Sequence, residues 1–305
     1  MSPQARLANL ISRQTIVDGT FDTPVSAVKL IRWSTPSEPM PVIYEPTVCF
    51  VAQGRKQASV GTTTLTYDCT RYLIASIAQP VMGSVVEASA EKPYLCLQIN
   101  LDKKEIAELA ALHPSSLNPD SPPLGLAIYD ALPALTDAAI RLLALFDAPQ
   151  DVPALAPLIL REIYYRLLTG PSGSLLRHMV HSQSQFQQIS RAISWIRRHF
   201  HTACRIEDAA EVAAMSRSNF HLHFRAVTSL SPLAFRLQLR MQEARRLMLA
   251  EGLDAASAGA RVGYNSPSQF NRDYCRMFGA PPGRDVARLR KSGNHYCMAV
   301  SEPNT

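Results

Sequence analysis

RIEDAAEVAAMSRSNFHLHFRAVTS, residues 205–229, is followed by LDAASAGARVGYNSPSQFNRDYCRMFG, residues 253–279, and both stretches carry one plan. Each reads as a short helix, a tight turn and a second helix that mixes aromatic with polar residues. Ala210 and Ala214 of the first correspond to Gly259 and Gly263 of the second, at an offset of 49 both times. Two helices that cross closely need a small residue at the contact and a turn between them. The spacing therefore predicts a helix-turn-helix repeated in tandem, an arrangement suited to neighbouring turns of duplex DNA.

The register sorts core from surface. Phe220, Phe224 and Val227 share one helical face, and Ser218, His221, Leu222 and Arg225 share another. In the second copy Phe270, Tyr274 and Phe278 recur every fourth residue, with Pro267, Ser268, Asn271, Arg272 and Cys275 opposite. Ser266-Pro267-Ser268-Gln269 is a helix start: a capping serine, proline at the first helical position and glutamine three residues after the cap. Ser231-Pro232 starts another helix in the same way, and Gly252 ends it after about Ala250. Arg225 and Arg276 lie at motif edges, where arginine holds phosphate and positions the domain rather than reading bases.

GYNSPSQFNRDYCRMFGAPP, residues 263–282, closely resembles the second-motif signature of the AraC/XylS family of bacterial transcription regulators, and MSRSNFHLHFRAVTSLSPLAF, residues 215–235, resembles its first. The resemblance covers Gln188 to Leu289, and EPTVCFVAQGRKQASVG, residues 45–61, extends it less specifically to the family's sensor domain. It implies an α+β chain of two domains, a cupin-like β-barrel with helices followed by an all-α tandem helix-turn-helix. It further implies an activator type of transcription regulator that engages a promoter or operator and RNA polymerase as a homodimer. Ser218, His221 and Leu222 would face one major groove, and Pro267, Ser268, Asn271 and Arg272 the next. Two positions depart from the pattern. Leu222 stands where the family often has a DNA-contacting arginine, which leaves an apolar contact to a thymine methyl or plain packing. Ala214 stands where the turn prefers glycine, at a strain of about 1 kcal/mol if its backbone is left-handed.

Charge agrees with the motif. Residues 186–292 hold 17 Lys and Arg against 8 Asp and Glu, a net +9, whereas residues 1–185 hold 14 against 16, a net −2. Positive charge is confined to the repeat, as phosphate binding requires. The competing reading, a solvated basic face, explains neither the repeat nor the confinement. The chain lacks a run of 18 apolar residues or a continuous apolar leader, so a cytoplasmic protein with no membrane association is expected. Six cysteines, at 49, 69, 96, 204, 275 and 297, form no close pair in sequence, which argues against a disulfide framework and a structural zinc site.

The N-terminal half reads as β-rich. VSAVKLIRW, TVCFVAQG, QASVG, TLTYD, RYLIAS and YLCLQINL lie between Val25 and Leu101, separated by glycines and prolines, and predict a small antiparallel barrel or sandwich. Helical patterns follow at 103–112, 132–146 and 154–168. The helix over 132–146 is apolar on much of its circumference, so it is either deeply buried or a subunit interface, and the modest size of the domain favours the interface. TGPSGS, residues 169–174, reads as a hinge. The divisions expected are 1–170 sensor and dimerisation domain, 171–185 linker, 186–292 DNA-binding domain and 293–305 tail.

The first histidine is His113, beyond the strands, so no metal centre can be built from barrel histidines, and neither a metal nor another cofactor is expected. With no phosphate loop and no GxSxG, a binding module is the better reading than an enzyme. Trp33, Cys49, Phe50 and Tyr94 are the candidate ligand residues, set against the commoner fate of such residues as core. Cys49, Cys69 and Cys96 are candidates for reaction with an electrophile or oxidant, against the ordinary role of a strand cysteine as a small buried hydrophobe. Together these features predict a DNA-binding transcription regulator answering to a small molecule. The runner-up is a constitutive DNA-binding factor whose N-terminal domain only dimerises.

Overall fold

The computed structural model describes residues 1–114, 124–181, 184–202 and 205–291. The tail over 293–305, Cys204 and Cys297 lie outside the described residues. The chain divides into two compact units, one comprising Met1–Gln187 with the short stretch Ala226–Ser229, and one comprising the rest from Gln188 onward.

The first unit opens with α1 (Pro3–Gln14), whose start is capped by Ser2: the serine oxygen accepts from the Ala5 amide at 3.2 Å. Leu7, Ala8 and Ile11 form its buried stripe. The sequence reading assigns no helix to this segment. Ten strands follow, β1 (Gly19–Asp22), β2 (Val28–Trp33), β3 (Met40–Tyr44), β4 (Thr47–Gln53), β5 (Arg55–Val60), β6 (Thr63–Asp68), β7 (Arg71–Ala75), β8 (Gln79–Glu87), β9 (Tyr94–Asn100) and, after α2 (Lys103–Leu112), β10 (Leu126–Asp130). They form a six-stranded sheet in the order β1-β2-β9-β4-β7-β10 and a four-stranded sheet in the order β3-β8-β5-β6. The expected antiparallel barrel or sandwich is realised as two antiparallel sheets that do not close into one ring.

The centre of the larger sheet explains its composition. In β4 every residue but Gln53 is buried, because both faces are covered. α1 packs on one side, and β6 of the smaller sheet approaches β4 and β7. β4 and β9 slip register between Val51 and Gln53, a bulge that lies opposite Cys96 and Leu95.

α3 (Pro133–Ala144) and α4 (Val152–Thr169) pack on each other, α3 also on α1 and α4 also on α2. The interface expected on the first of these is corrected: Leu135, Ile140, Leu142 and Leu143 are buried within the unit, where α3 packs on α1 and α4. Its several apolar faces are used up by several neighbours. The linker expected over 171–185 contains a helix. Residues Gly173–Val180 form α5, which buries Leu175, Leu176 and Met179 and packs on α2 and α4. Ser172 in the supposed hinge is fully buried; it donates to the Leu167 carbonyl at 2.8 Å and accepts from the Tyr72 hydroxyl at 3.1 Å.

The second unit is helical throughout its described length: α6 (Gln185–His199), which begins just before the unit boundary, then α7 (Ile206–Val212), α8 (Arg217–Thr228), α9 (Pro232–Ala250), α10 (Ala255–Arg261), α11 (Pro267–Phe278) and α12 (Pro282–Lys291). α9 occupies the stretch the Ser-Pro start and the terminal glycine mark out. Its Ser231 cap accepts from the Ala234 amide at 3.2 Å. The aromatic residues of the first repeat meet edge to face, Phe220 with Phe224 at 5.3 Å and Phe224 with Phe235 at 5.4 Å between ring centres. The second repeat builds its core from Ala258, Val262, Phe270 and Tyr274 against Met241, Ala244, Leu247 and Met248 of α9 and Val286 of α12.

Candidate nucleic-acid interface

The two turns superpose in hydrogen bonding. Met215 N–H donates to the Ala210 carbonyl at 3.1 Å, and Tyr264 N–H to the Gly259 carbonyl at 3.0 Å. Ala214 has φ 53° and Gly263 φ 88°, so both turns pass through the left-handed region and Ala214 does bear the expected strain. Beyond the turn the copies part by one residue. α8 starts at Arg217 and α11 at Pro267, an offset of 50 where the turn positions have 49. The extra residue sits between Gly263 and the Ser266 cap. In this alignment Ser218 matches Ser268, His221 matches Asn271, and Leu222 matches Arg272.

Both second helices present the anticipated polar faces. Ser218, Leu222, Arg225, Pro267, Ser268, Asn271, Arg272 and Arg276 are exposed and His221 is half-buried. Leu222 is 66% exposed, so the packing alternative for it is removed within its own domain. Phe220, Phe224, Phe270 and Tyr274 are fully buried on the opposite faces. Cys275 is half-buried at the edge of α11.

Arg272 is braced by a relay the sequence does not display. Its guanidinium donates to the Gln269 side-chain oxygen at 2.7 Å, and the Gln269 amide donates to the Asp273 carboxylate at 2.9 Å. Tyr264, in the longer turn, donates its hydroxyl to the same carboxylate at 2.9 Å. Burial and then that carboxylate push the Tyr264 hydroxyl well above the usual phenol range, so it remains a donor. Arg276 reaches Asp273 at 3.5 Å from the other side. Gln269 stands three residues before Arg272 and four before Asp273, spacings that share a helix face, but the approach of Tyr264 from the turn completes the relay only in the folded unit. Asn219 and Arg217 are also exposed on α8, and sequence reasoning passed over both.

A second buried network holds α11 in place. Arg245 of α9 donates twice to Asp285 of α12, at 2.8 and 2.7 Å, and the Tyr274 hydroxyl donates to the same carboxylate at 2.8 Å. The arginine is 3% and the aspartate 0% exposed in their side chains. Arg288 adds a further contact to Asp285 at 3.1 Å, and the Arg245 guanidinium lies 4.3 Å from the Phe278 ring centre.

In the first unit the candidate ligand residues fall on two sides of one sheet. Trp33 pairs with Tyr94, and Cys49 stands diagonal to Cys96, so these share one face. Phe50, the next residue along β4, points to the other, where its ring meets Tyr72 at 5.8 Å between centres. All four are buried. Three of them are therefore brought together and Phe50 is set apart. Among the described residues there is no group of His, Cys, Asp and Glu suited to hold a metal ion. Nor is any single described helix long and apolar enough to cross a membrane.

Residues 24–175 match the family model of the AraC-type transcriptional regulator N-terminus, and residues 209–288 match that of a helix-turn-helix domain. The chain is similar to the RCS-specific HTH-type transcriptional activator RclR of Escherichia coli (strain K12), 37% identical over 86 residues, which is 28% of this chain and 30% of that one. It is also similar to the HTH-type transcriptional regulator ExsA of Pseudomonas aeruginosa, 25% identical over 180 residues, covering 59% of this chain and 62% of the relative. These matches span less than two thirds of either relative. Among solved structures, unsaturated fatty acid bound wild-type ToxT from Vibrio cholerae shares the fold with a TM-score of 0.56 at 11% identity, covering 91% of this chain and 97% of that one. ToxT bound to (E)-4-(8-methylnaphthalen-1-yl)but-3-enoic acid does so with a TM-score of 0.53 at 11% identity, covering 86% and 98%.

Proposed function

Because the chain belongs to the AraC-type transcriptional regulators, by its N-terminal and its helix-turn-helix parts together, we propose that it binds specific sites on duplex DNA through α8 and α11 and regulates transcription there. The observation that carries this is the pair of exposed polar faces, each backed by buried aromatics and entered through a left-handed turn. Ser218, His221 and Leu222 read one stretch of major groove. Pro267, Ser268, Asn271 and Arg272 read the next, and Arg225 and Arg276 hold phosphates. The protein acts in the cytoplasm as a homodimer with RNA polymerase as its further partner, and it is not an enzyme.

The first unit serves as sensor for a small organic molecule. Support comes from the fold shared with ToxT, which has been crystallised with an unsaturated fatty acid and with an aryl-substituted butenoic acid. A small carboxylic acid is accordingly the first effector class to try. Selection of bound duplexes from a randomised library, repeated with and without such acids, tests both parts. Enrichment of one sequence with two base clusters a helical turn apart, roughly 34 Å, is the expected result. Recovery of unrelated sequences overturns specific recognition. Unchanged binding and unchanged transcription with every acid favours the constitutive factor instead.

A further inference from the structure

The space between the two sheets holds a group of polar side chains that the DNA-binding reading does not use. Cys49 and Cys96 are 2% and 0% exposed and stand on neighbouring strands with side chains on one face. The Cys96 thiol donates weakly to the Leu97 carbonyl at 3.6 Å. Lys56 of β5, in the opposite sheet, is itself buried at 4% exposure, and its ammonium lies 5.5 Å from the Tyr44 ring centre and 5.9 Å from that of Tyr94. The Tyr94 hydroxyl, fully buried, makes no well-formed hydrogen bond and faces the Cys96 sulfur, a weak partner. Buried thiols are usually inert filling. A pair of thiols neighbouring on one sheet face, beside an ammonium and an unsatisfied phenol, is a different environment, and a polar group buried in this way calls for an explanation.

The two thiols are also unlike each other. The Cys96 thiol is drawn below its ordinary value by its hydrogen bond to Cys49, and further by the Tyr94 hydroxyl and the Lys56 charge, against the opposing effect of burial. That same contact, with burial, pushes the Cys49 thiol up. Such an inequality suits a pair in which one thiol attacks and the other resolves.

From this arrangement we infer that Cys49 and Cys96 are a modification site, a dithiol that peroxides convert to a disulfide between β4 and β9. The Cys96 thiolate attacks one peroxide oxygen and the O–O bond breaks. Cys96 becomes a sulfenic acid, and the departing alkoxide takes up the proton the thiol released. The Cys49 thiol then displaces hydroxide from the Cys96 sulfur, forming the S–S bond and leaving as water with the Cys49 proton. Two thiols and one peroxide yield one disulfide, one alcohol and one water. Diagonal neighbours in a sheet have Cα atoms roughly 7–8 Å apart, and a disulfide needs about 6.8 Å or less. Closure therefore slides β4 along β9 by about 1 Å, and the bulge opposite Cys96 gives β4 room to move. The same shift would carry the oxidation state into the unit's core.

The test uses the full-length reduced protein and hydrogen peroxide as the oxidant. After brief exposure the protein is unfolded, free thiols are alkylated, and the digest is mapped by mass spectrometry. A peptide pair joined through Cys49 and Cys96, reversed by dithiothreitol, is the expected product, and it forms ahead of any link that includes Cys69 or Cys275. Recovery of Cys49 and Cys96 as alkylated thiols when Cys69 or Cys275 is already oxidised overturns the proposal. In Cys49→Ser, dimedone should trap a sulfenic acid on Cys96, and Lys56→Met should slow the link several-fold in a folded protein. Equal rates in Lys56→Met and the parent refute the part given to the ammonium. Should either variant fail to fold, the peptide map of the unaltered chain decides the matter alone, and it does so whether or not the protein binds DNA.

Discussion

Ala214 and Gly263 occupy the same turn of the two repeats but tolerate different substitutions. A Cβ built on Gly263 would stand 2.3 Å from the His201 carbonyl oxygen, inside any allowed contact. Gly263→Ala therefore adds a backbone clash to left-handed strain and should destabilise the second unit by more than about 1 kcal/mol. Ala214 already carries its Cβ and is exposed, so Ala214→Gly should leave stability unchanged or raise it by up to about 1 kcal/mol. Urea melts of both variants check this, and a larger loss in Ala214→Gly than in Gly263→Ala contradicts the turn geometry. Arg272 and Arg225 separate reading from holding. Arg272→Ala should cost about 1–3 kcal/mol at the preferred site and relax one base position. Arg225→Ala should weaken all duplexes alike. Equal base preference before and after Arg272→Ala would show that α11 is docked in another register. His178 offers a pH test. Burial, and secondarily the charge of His181, holds its imidazole below the ordinary 6.5, and its Nε2 is buried without a hydrogen bond. A depressed histidine favours the folded state fully above the unfolded value and loses that contribution as pH falls from 6.5 through the folded value. Tm should decline over that window, and His178→Gln should flatten the decline.

At the scale of elements, α9, α11 and α12 are tied by Asp285. Asp285→Ala leaves Arg245 buried without its bidentate partner and should destabilise by about 3–5 kcal/mol. Replacing both, as Arg245→Met with Asp285→Leu, removes both charges and should cost less than Asp285→Ala alone. Chemical denaturation of the two variants decides it, and a double variant as unstable as the single would show that the pair contributes net stability. No periodicity points to Asp285, because its partner lies 40 residues away on another helix. The missed strands have a similar cause. β8 contains Pro80 and Gly83, punctuation that reads as a break, yet the strand survives because Gly83 lies opposite Met40 and Ala58 on its two neighbours. α3 shows the converse error: an apolar circumference visible in sequence does not say whether the neighbours come from the same chain.

For the whole molecule, the +9 charge of residues 186–292 makes affinity for DNA a matter of ionic strength. A fragment from Gln185 to Lys291 should bind duplex DNA by itself, with log K falling linearly against log salt at a slope of about −0.9 for each phosphate neutralised. Titrations at several salt concentrations measure it, and a flat response would rule out phosphate contact as the main source of affinity. The tandem helix-turn-helix, its capping serines, its aromatic core faces and its exposed polar faces were legible in the sequence, because helix periodicity, caps and turns are set by residues within a few positions of one another. The number of sheets, the place of α1 and α5, the relay from Tyr264 to Arg272 and the buried Arg245–Asp285 pair were decided only by the tertiary structure. So was the placing of Cys49 diagonal to Cys96, 47 positions apart in a chain whose cysteines show no close spacing. Strand pairing and helix docking join residues across such distances by burial and shape, and local pattern carries no record of which distant partner will fill a given face.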